Sequence, residues 1–214
     1  SSSAASDVYK RQMPAIWPTF IPAVGNYLNS AKEGKTHDET AEKISSEYHK
    51  AVKTAMTVLH ANLVLVQAPY APIKLAIKKT LDDIKESEGR PKPSHFSDWA
   101  NATSNYWLTT IMSPTPFHPL NMAASTGTAG VPVPITHIIN NGGAVAPLKA
   151  GLCAAFTHPA SKIPFGIPLA TKLVTAFTTH LMTVGGLQTE FVTAGSPVTP
   201  VPIGPIGQPW VGMV

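Results

Sequence analysis

The chain has 214 residues, enough for one domain with extended arms, and a formal net charge of +4 from 16 basic and 12 acidic residues. Its arginines are Arg11 and Arg90, and most lysines sit among acids between Lys32 and Glu88, so the composition gives none of the clustered arginine that nucleic-acid sequence recognition favours. Cys153 stands alone, which excludes an internal disulfide and a cysteine-based zinc site.

The first segment, Ser2-Ser-Ala-Ala-Ser-Asp-Val-Tyr-Lys-Arg-Gln12, resembles a translated transposase-type sequencing adapter. On that resemblance residues 1–12 are an artefact, expected to be disordered, and the native chain starts at Met13. Removing the segment takes Lys10, Arg11 and Asp7 with it and leaves Arg90 as the remaining arginine. An adapter retained in a gene implies automated assembly of an environmental sample. The start Met13-Pro-Ala-Ile-Trp17 has no basic n-region, and Pro18 and Pro22 interrupt its apolar stretch, so no signal peptide is expected.

A short helix is predicted from about Thr19 to Ala31. Thr36-His-Asp-Glu39 is a capping box, in which the threonine hydroxyl and the glutamate carboxylate satisfy the first unpaired N–H groups. It opens a second helix whose stripe is Ala41, Ile44, Tyr48, Val52, Ala55 and Leu59. The run Ala61–Ala68 reads as a helix continuation or a buried extended piece, stopped by Pro69 and Pro72. Pro72 suits the first turn of a third helix, because its missing N–H has no partner there in any case. Ile73, Ile77, Leu81 and Ile84 form the stripe of that helix, and Gly89 is its stop. A fourth helix after Ser94 carries Phe96, Trp99, Thr103, Tyr106, Trp107 and Ile111. This spacing places the aromatics in a core rather than on a stacking surface for bases or sugars.

From Asn101 to the end the charges are Lys149, Lys162, Lys172 and Glu190, and most of the prolines lie here. Residues 113–146 show little periodicity; Pro114, Pro116, Pro119, Pro132 and Pro134 exclude helix over much of this stretch, and Asn141-Gly142-Gly143 marks a turn. Two further helices are predicted, Pro147–His158 and Pro168–Val184, the second stopped by Gly185-Gly186. They share the pattern Leu152-Cys-Ala-Ala-Phe-Thr157 and Leu173-Val-Thr-Ala-Phe-Thr178, the mark of two similar helices on one core. The stretch Ile163–Leu187 contains Lys172, Pro164 and Pro168 and falls short of a membrane span. The last segment, residues 196–214, is uncharged and proline-rich, which forces extended backbone. It also carries Ile, Val and Trp210, so it is expected to pack on the chain's own core or on a neighbouring subunit.

The expected architecture is therefore mainly α. It has four to six helices in one domain over residues 13–195, a long Pro/Gly-rich loop at about 113–146, and an extended apolar C-terminal arm over 196–214. Catalytic signatures are sparse. Cys153 lies mid-helix among alanines and reads as buried structure rather than as a nucleophile with His158 or His180. The eight histidines lack metal-binding spacing, and Asp98 and Glu190 are the acids beyond Glu88. No cofactor, metal or catalytic residue is expected. Trp17 and Trp210, each beside a proline, read as partner-binding anchors, together with Pro18, Phe20, Pro205 and Pro209.

The opening Ile16-Trp17-Pro18-Thr19-Phe20, the Tyr106-Trp107 helix, the Ala-Phe-Thr helices and the Pro-Trp-Val-Gly ending resemble helical structural proteins of tailed phages from aquatic metagenomes. The resemblance implies a non-enzymatic virion component of the neck, tail or baseplate. Its partners would be itself or other assembly proteins, and its place the virion or host cytoplasm. It transfers no functional residues. Two alternatives remain at this level. One is a histidine-dependent enzyme using His118, His137, His158 or His180 with Asp98. The other is a peripheral membrane protein acting through helix 168–184.

Overall fold

The computed structural model describes residues 17–30, 35–55, 67–111, 136–157, 165–196 and 199–213, with the backbone alone for 136, 137, 188–196 and 199–210. These residues are mainly helical, with six α-helices and a three-stranded antiparallel sheet. The helices are α1 (Trp17–Asn29), α2 (His37–Val52), α3 (Ala71–Glu86), α4 (Ser97–Leu108), α5 (Val145–Phe156) and α6 (Gly166–Leu181). A 3-10 turn, Pro93–Phe96, leads into α4. The strands are β1 (Thr136–Asn141), β2 (Gly185–Ser196) and β3 (Thr199–Val211), in the order β1-β2-β3.

Local chemistry sets the boundaries. The capping box forms as expected: Thr36 Oγ1 accepts from the Glu39 N–H at 3.2 Å, and the Thr36 N–H donates to Glu39 Oε2 at 2.8 Å. Pro72 occupies the first turn of α3. The reversal after α3 starts one residue before the expected Gly89, because Glu88 already has φ +57°. α1 begins at Trp17, so the tryptophan expected as a partner-binding anchor lies on a helix. Within the stretch expected to be a loop, β1 and the first residues of α5 are regular. Residues 112–135, Leu59 and His60 lie outside the described residues.

One core unites the helices. Phe177 of α6 stacks on Trp17 at 6.0 Å and meets Tyr48 at 4.7 Å and Phe20 at 6.0 Å. Trp99 joins this cluster through Phe177 at 6.4 Å and through Phe156 at 6.0 Å. The two Ala-Phe-Thr helices therefore meet the same tryptophan from two sides. Such aromatic pairs add about 0.5–1.5 kcal/mol each to what area burial supplies. Ile111 departs from the predicted stripe and is exposed, because α4 ends at Leu108.

Two glycine contacts allow the close approach of the helices. Gly25 of α1 lies against Ile167, and a side chain there would come within 2.9 Å of the Ile167 Cα. Gly151 of α5 lies against Ala176 of α6, where an added Cβ would sit 2.9 Å from the alanine Cβ. α2 and α3 are joined differently, by charges on their rims: Lys74 reaches Asp38 at 2.9 Å and Glu42 at 3.4 Å, and His37 meets Asp82 at 2.6 Å. Exposed pairs of this kind contribute little individually and mainly set register.

Candidate interaction surface

The C-terminal segment expected as an extended arm is β3, and it is paired along its length with β2. A strand at 185–196 is not among the elements expected from the sequence. The signal there was the β-favouring run Leu187-Gln-Thr-Glu-Phe-Val-Thr193, overshadowed by the stop at Gly185-Gly186. The base of this hairpin is fixed to the helical body. The Gly212 N–H donates to the Val184 carbonyl at 2.8 Å, the Met213 N–H donates to the Leu181 carbonyl at 2.9 Å, and Met213 is buried. β1 pairs with the first part of β2, Thr136 lying opposite Thr189, and packs on α4. Above that point residues 190–196 and 199–206 form a two-stranded ribbon. Among the described elements, β2 contacts β3 and β1, β3 contacts β2 alone, and neither lies against a helix.

The register explains how four prolines fit into β3. Pro209, Pro205, Pro202 and Pro200 lie opposite Leu187, Phe191, Thr193 and Gly195, all odd-numbered positions of β2. A proline cannot donate to a ladder, so these are the non-hydrogen-bonded pairs, with the missing N–H facing away from β2. The spacing between Pro202 and Pro205 would break this phase. The irregularity opposite Val192 and Thr193 absorbs one residue and restores it. β3 thus presents an outer edge stripped of donors at four positions, which protects it from strand addition.

At the base, the face of the sheet is apolar and open. Ile138 and Leu187 are direct cross-strand neighbours and are 54% and 39% exposed, while Ile139, on the opposite face, is buried. Val211, paired with Gly185, is 65% exposed.

The predicted anchors divide into two groups. Trp17 and Phe20 are 7% and 0% exposed, and their rings are engaged in the core, so neither is presented to a partner; Pro18 is exposed on the first turn of α1. Pro205, Pro209 and Trp210 share β3, opposite Phe191, Leu187 and Gly186. The two groups share no contact between α1 and β3. The symmetry of a Pro-Trp segment at each end therefore does not carry over into space: one tryptophan belongs to the core, the other to a strand of the sheet.

Other clusters are self-contained. A cleft of about 420 Å³ beside α2 is lined by Tyr27, Lys35, Asp38, Glu42, Lys43 and Lys74, whose charges largely pair with one another. His49 Nδ1 is 2.7 Å from the Tyr106 hydroxyl, and Asp98 is paired with Lys79. Cys153 is buried, and burial raises its thiol pKa. His180 is 1% exposed, and neither ring nitrogen has a hydrogen-bond partner. Burial pulls its pKa down to about 4, with the nearby Gly142 backbone opposing in part without forming a hydrogen bond. His180 and Asp98 therefore do not meet at an open site. His118 and His158, and the side chain of His137, lie outside the described residues. No group of three or more potential metal ligands occurs among the described residues.

No helix among the described residues is long and apolar enough to cross a membrane. On α6, Leu169, Leu173 and Phe177 face the core, and Thr171, Lys172, Thr175 and Thr179 face outward. The apolar face that a membrane would need is already occupied. No known protein family, curated protein or solved structure matches the chain.

Proposed function

We propose that this chain is a structural subunit of a larger assembly, which it enters through the β2–β3 ribbon. The observation that supports this is the ribbon itself: residues 190–206 carry Glu190 as their single charge and are rich in Val, Ile and Pro, and 190–196 and 199–206 pair with no described element but each other. A two-stranded ribbon is marginal in water, and three or more strands or a packed face are needed for independent stability. Backbone hydrogen bonds at Gly212 and Met213 attach its base to the helical body. The exposed Ile138–Leu187 pair adds an apolar patch at its base.

The finer reading, a neck, tail or baseplate component of a tailed phage, rests on the sequence resemblance. Mass spectrometry of purified virions from the source sample tests it, and a chain found in cell extracts but never in virions would overturn it. The assembly reading is tested by shortening the ribbon. Glu190 lies opposite Ile206 in a pair that bonds across the ladder, so replacing residues 191–205 with Asn-Gly closes the hairpin with a two-residue turn of the favoured type. The full chain is expected to sediment above monomer mass, and the shortened chain as a monomer with unchanged helical circular dichroism. A full chain that stays monomeric, or a shortened chain that assembles equally well, would overturn the reading.

A further inference from the structure

We propose that the open edge of β2, residues 190–196, pairs antiparallel with the same edge of a second copy, around a two-fold axis at Thr193. The proposal rests on the assembly reading and names the partner and the contact. Because the prolines of β3 lie opposite odd-numbered residues, the even-numbered residues of β2 bond to β3 and the odd ones turn their N–H and C=O groups to the other edge. Up to Thr189 that edge is covered by β1. Beyond it, the main-chain groups of Phe191, Thr193 and Gly195 have no strand partner among the described residues.

The chain's own sequence bars β1 from continuing over this edge. In the register that sets Thr136 opposite Thr189, Pro134 would stand opposite Phe191 and Pro132 opposite Thr193. Both are positions where the partner must donate an N–H, and proline has none. A second copy of β2 meets no such bar, since residues 190–196 contain no proline. With the axis at Thr193, Phe191 faces Gly195 of the other copy and Thr193 faces Thr193, each pair closing two main-chain hydrogen bonds. Glu190 falls opposite Ser196, so the one charge of the edge is not set against itself. The resulting sheet has the order β3-β2-β2-β3, and both of its outer edges carry the four prolines. Growth therefore stops at the dimer instead of running on into a fibre.

Sedimentation of the full-length chain over a concentration series tests this, with three variants. Thr193→Val keeps the N–H and is expected to dimerise like the wild type. Thr193→Pro removes the donor at the axis without touching the β3 ladder and is expected to weaken dimerisation about 100-fold or more, with helical circular dichroism unchanged. Thr193→Cys is expected to form an intermolecular disulfide on mild oxidation, because directly opposed residues lie about 5.5 Å apart at Cα, whereas Glu190→Cys is not. A dimer that Thr193→Pro leaves intact, or in which Thr193→Cys does not cross-link, overturns the edge pairing. If the ribbon-shortened chain nonetheless fails to assemble, the assembly reading survives. A monomeric wild type overturns both.

Discussion

The indole N–H of Trp107 donates to the hydroxyl of Tyr48 at 2.9 Å, with both side chains fully buried. This bond ties α4 to α2 across 59 residues of sequence. Burial raises the Tyr48 pKa, which keeps its hydroxyl protonated. Trp107 has a single donor and is fully buried, so the cost of losing this bond falls on the indole.

The first prediction follows from that asymmetry. Tyr48→Phe keeps the ring contacts with Phe177, Trp17 and Tyr106 and removes only the acceptor. Leaving a buried donor unsatisfied costs about 1–3 kcal/mol. Urea denaturation is expected to show that loss with an unchanged m-value. Trp107→Phe in the Tyr48→Phe background should cost less than in the wild type, since the orphaned donor is then gone. A Tyr48→Phe variant as stable as the parent would mean that the indole finds another acceptor.

The second prediction concerns acid. His180 is buried neutral beneath the turn Asn141–Ala144, which is fastened to the end of α6 by the Ala144 N–H donating to Thr183 Oγ1 at 2.7 Å. Its folded pKa of about 4 lies below the ordinary histidine value of 6.5. The unfolded chain therefore binds more protons between these two values, and stability rises with pH across that window. The contribution is fully present above pH 6.5 and is lost as the pH falls toward 4, by about 3 kcal/mol in total. His180→Leu removes two unpartnered nitrogens as well as the titration. It is expected to match or exceed the wild type at pH 7 and to flatten the slope between pH 6.5 and 4. An unaltered slope would place the acid sensitivity elsewhere.

Gly143 provides a third, independent handle on the same place. Its φ is +93°, and an added Cβ would lie 2.6 Å from His180 Nε2. Gly143→Ala combines backbone strain with a clash against a fully buried ring, and is expected to destabilise by about 1–3 kcal/mol. Pairing it with His180→Ala should relieve the clash and leave the strain, so the two substitutions should be non-additive in thermal unfolding. Strict additivity would mean that the ring and the turn are not in contact.

How far the sequence foretold the fold depended on whether the signal was local. The capping box at Thr36, the proline at the first turn of α3 and the stripes through Tyr48 and Trp99 are set within a few residues, and each element appears where its pattern placed it. Trp17 departs from its expected place for a physical reason. A tryptophan beside a proline looks irregular, but Pro18 sits in the first helical turn, where its missing N–H is harmless. β2 and β3 were not legible as strands because their pairing is a property of two segments together. Proline spacing in 200–209 suggests an unpaired extended chain until the irregularity near Ile203 and the register with β2 put all four prolines on one edge. The open edge of Phe191, Thr193 and Gly195 follows only from that register, and no local pattern marks it.

The fourth prediction tests the crossing of α1 and α6, on which the position of Phe177 depends. Gly25 and Gly166 face each other, and Asn29 Oδ1 accepts the Gly166 N–H at 2.6 Å, so the end of α1 caps the start of α6. A Cβ on Gly166 would meet the Gly25 carbonyl and come within 2.8 Å of Asn29 Oδ1. The first of these is backbone and cannot swing aside. Ordinarily Gly→Ala within a helix stabilises by up to about 1 kcal/mol. Here the sign should reverse for both Gly25→Ala and Gly166→Ala, because separating the helices would pull Phe177 away from Trp17 and Phe20. Asn29→Ala should cost about 1 kcal/mol by leaving the Gly166 N–H unpaired, without altering the crossing. The tryptophan fluorescence reports the difference: both glycine variants should shift the emission as the Trp17 environment opens, while Asn29→Ala lowers the unfolding midpoint with the native spectrum intact. Glycine variants with raised midpoints and native emission would show that the two helices have room to spare and that the contact does not position the aromatic core.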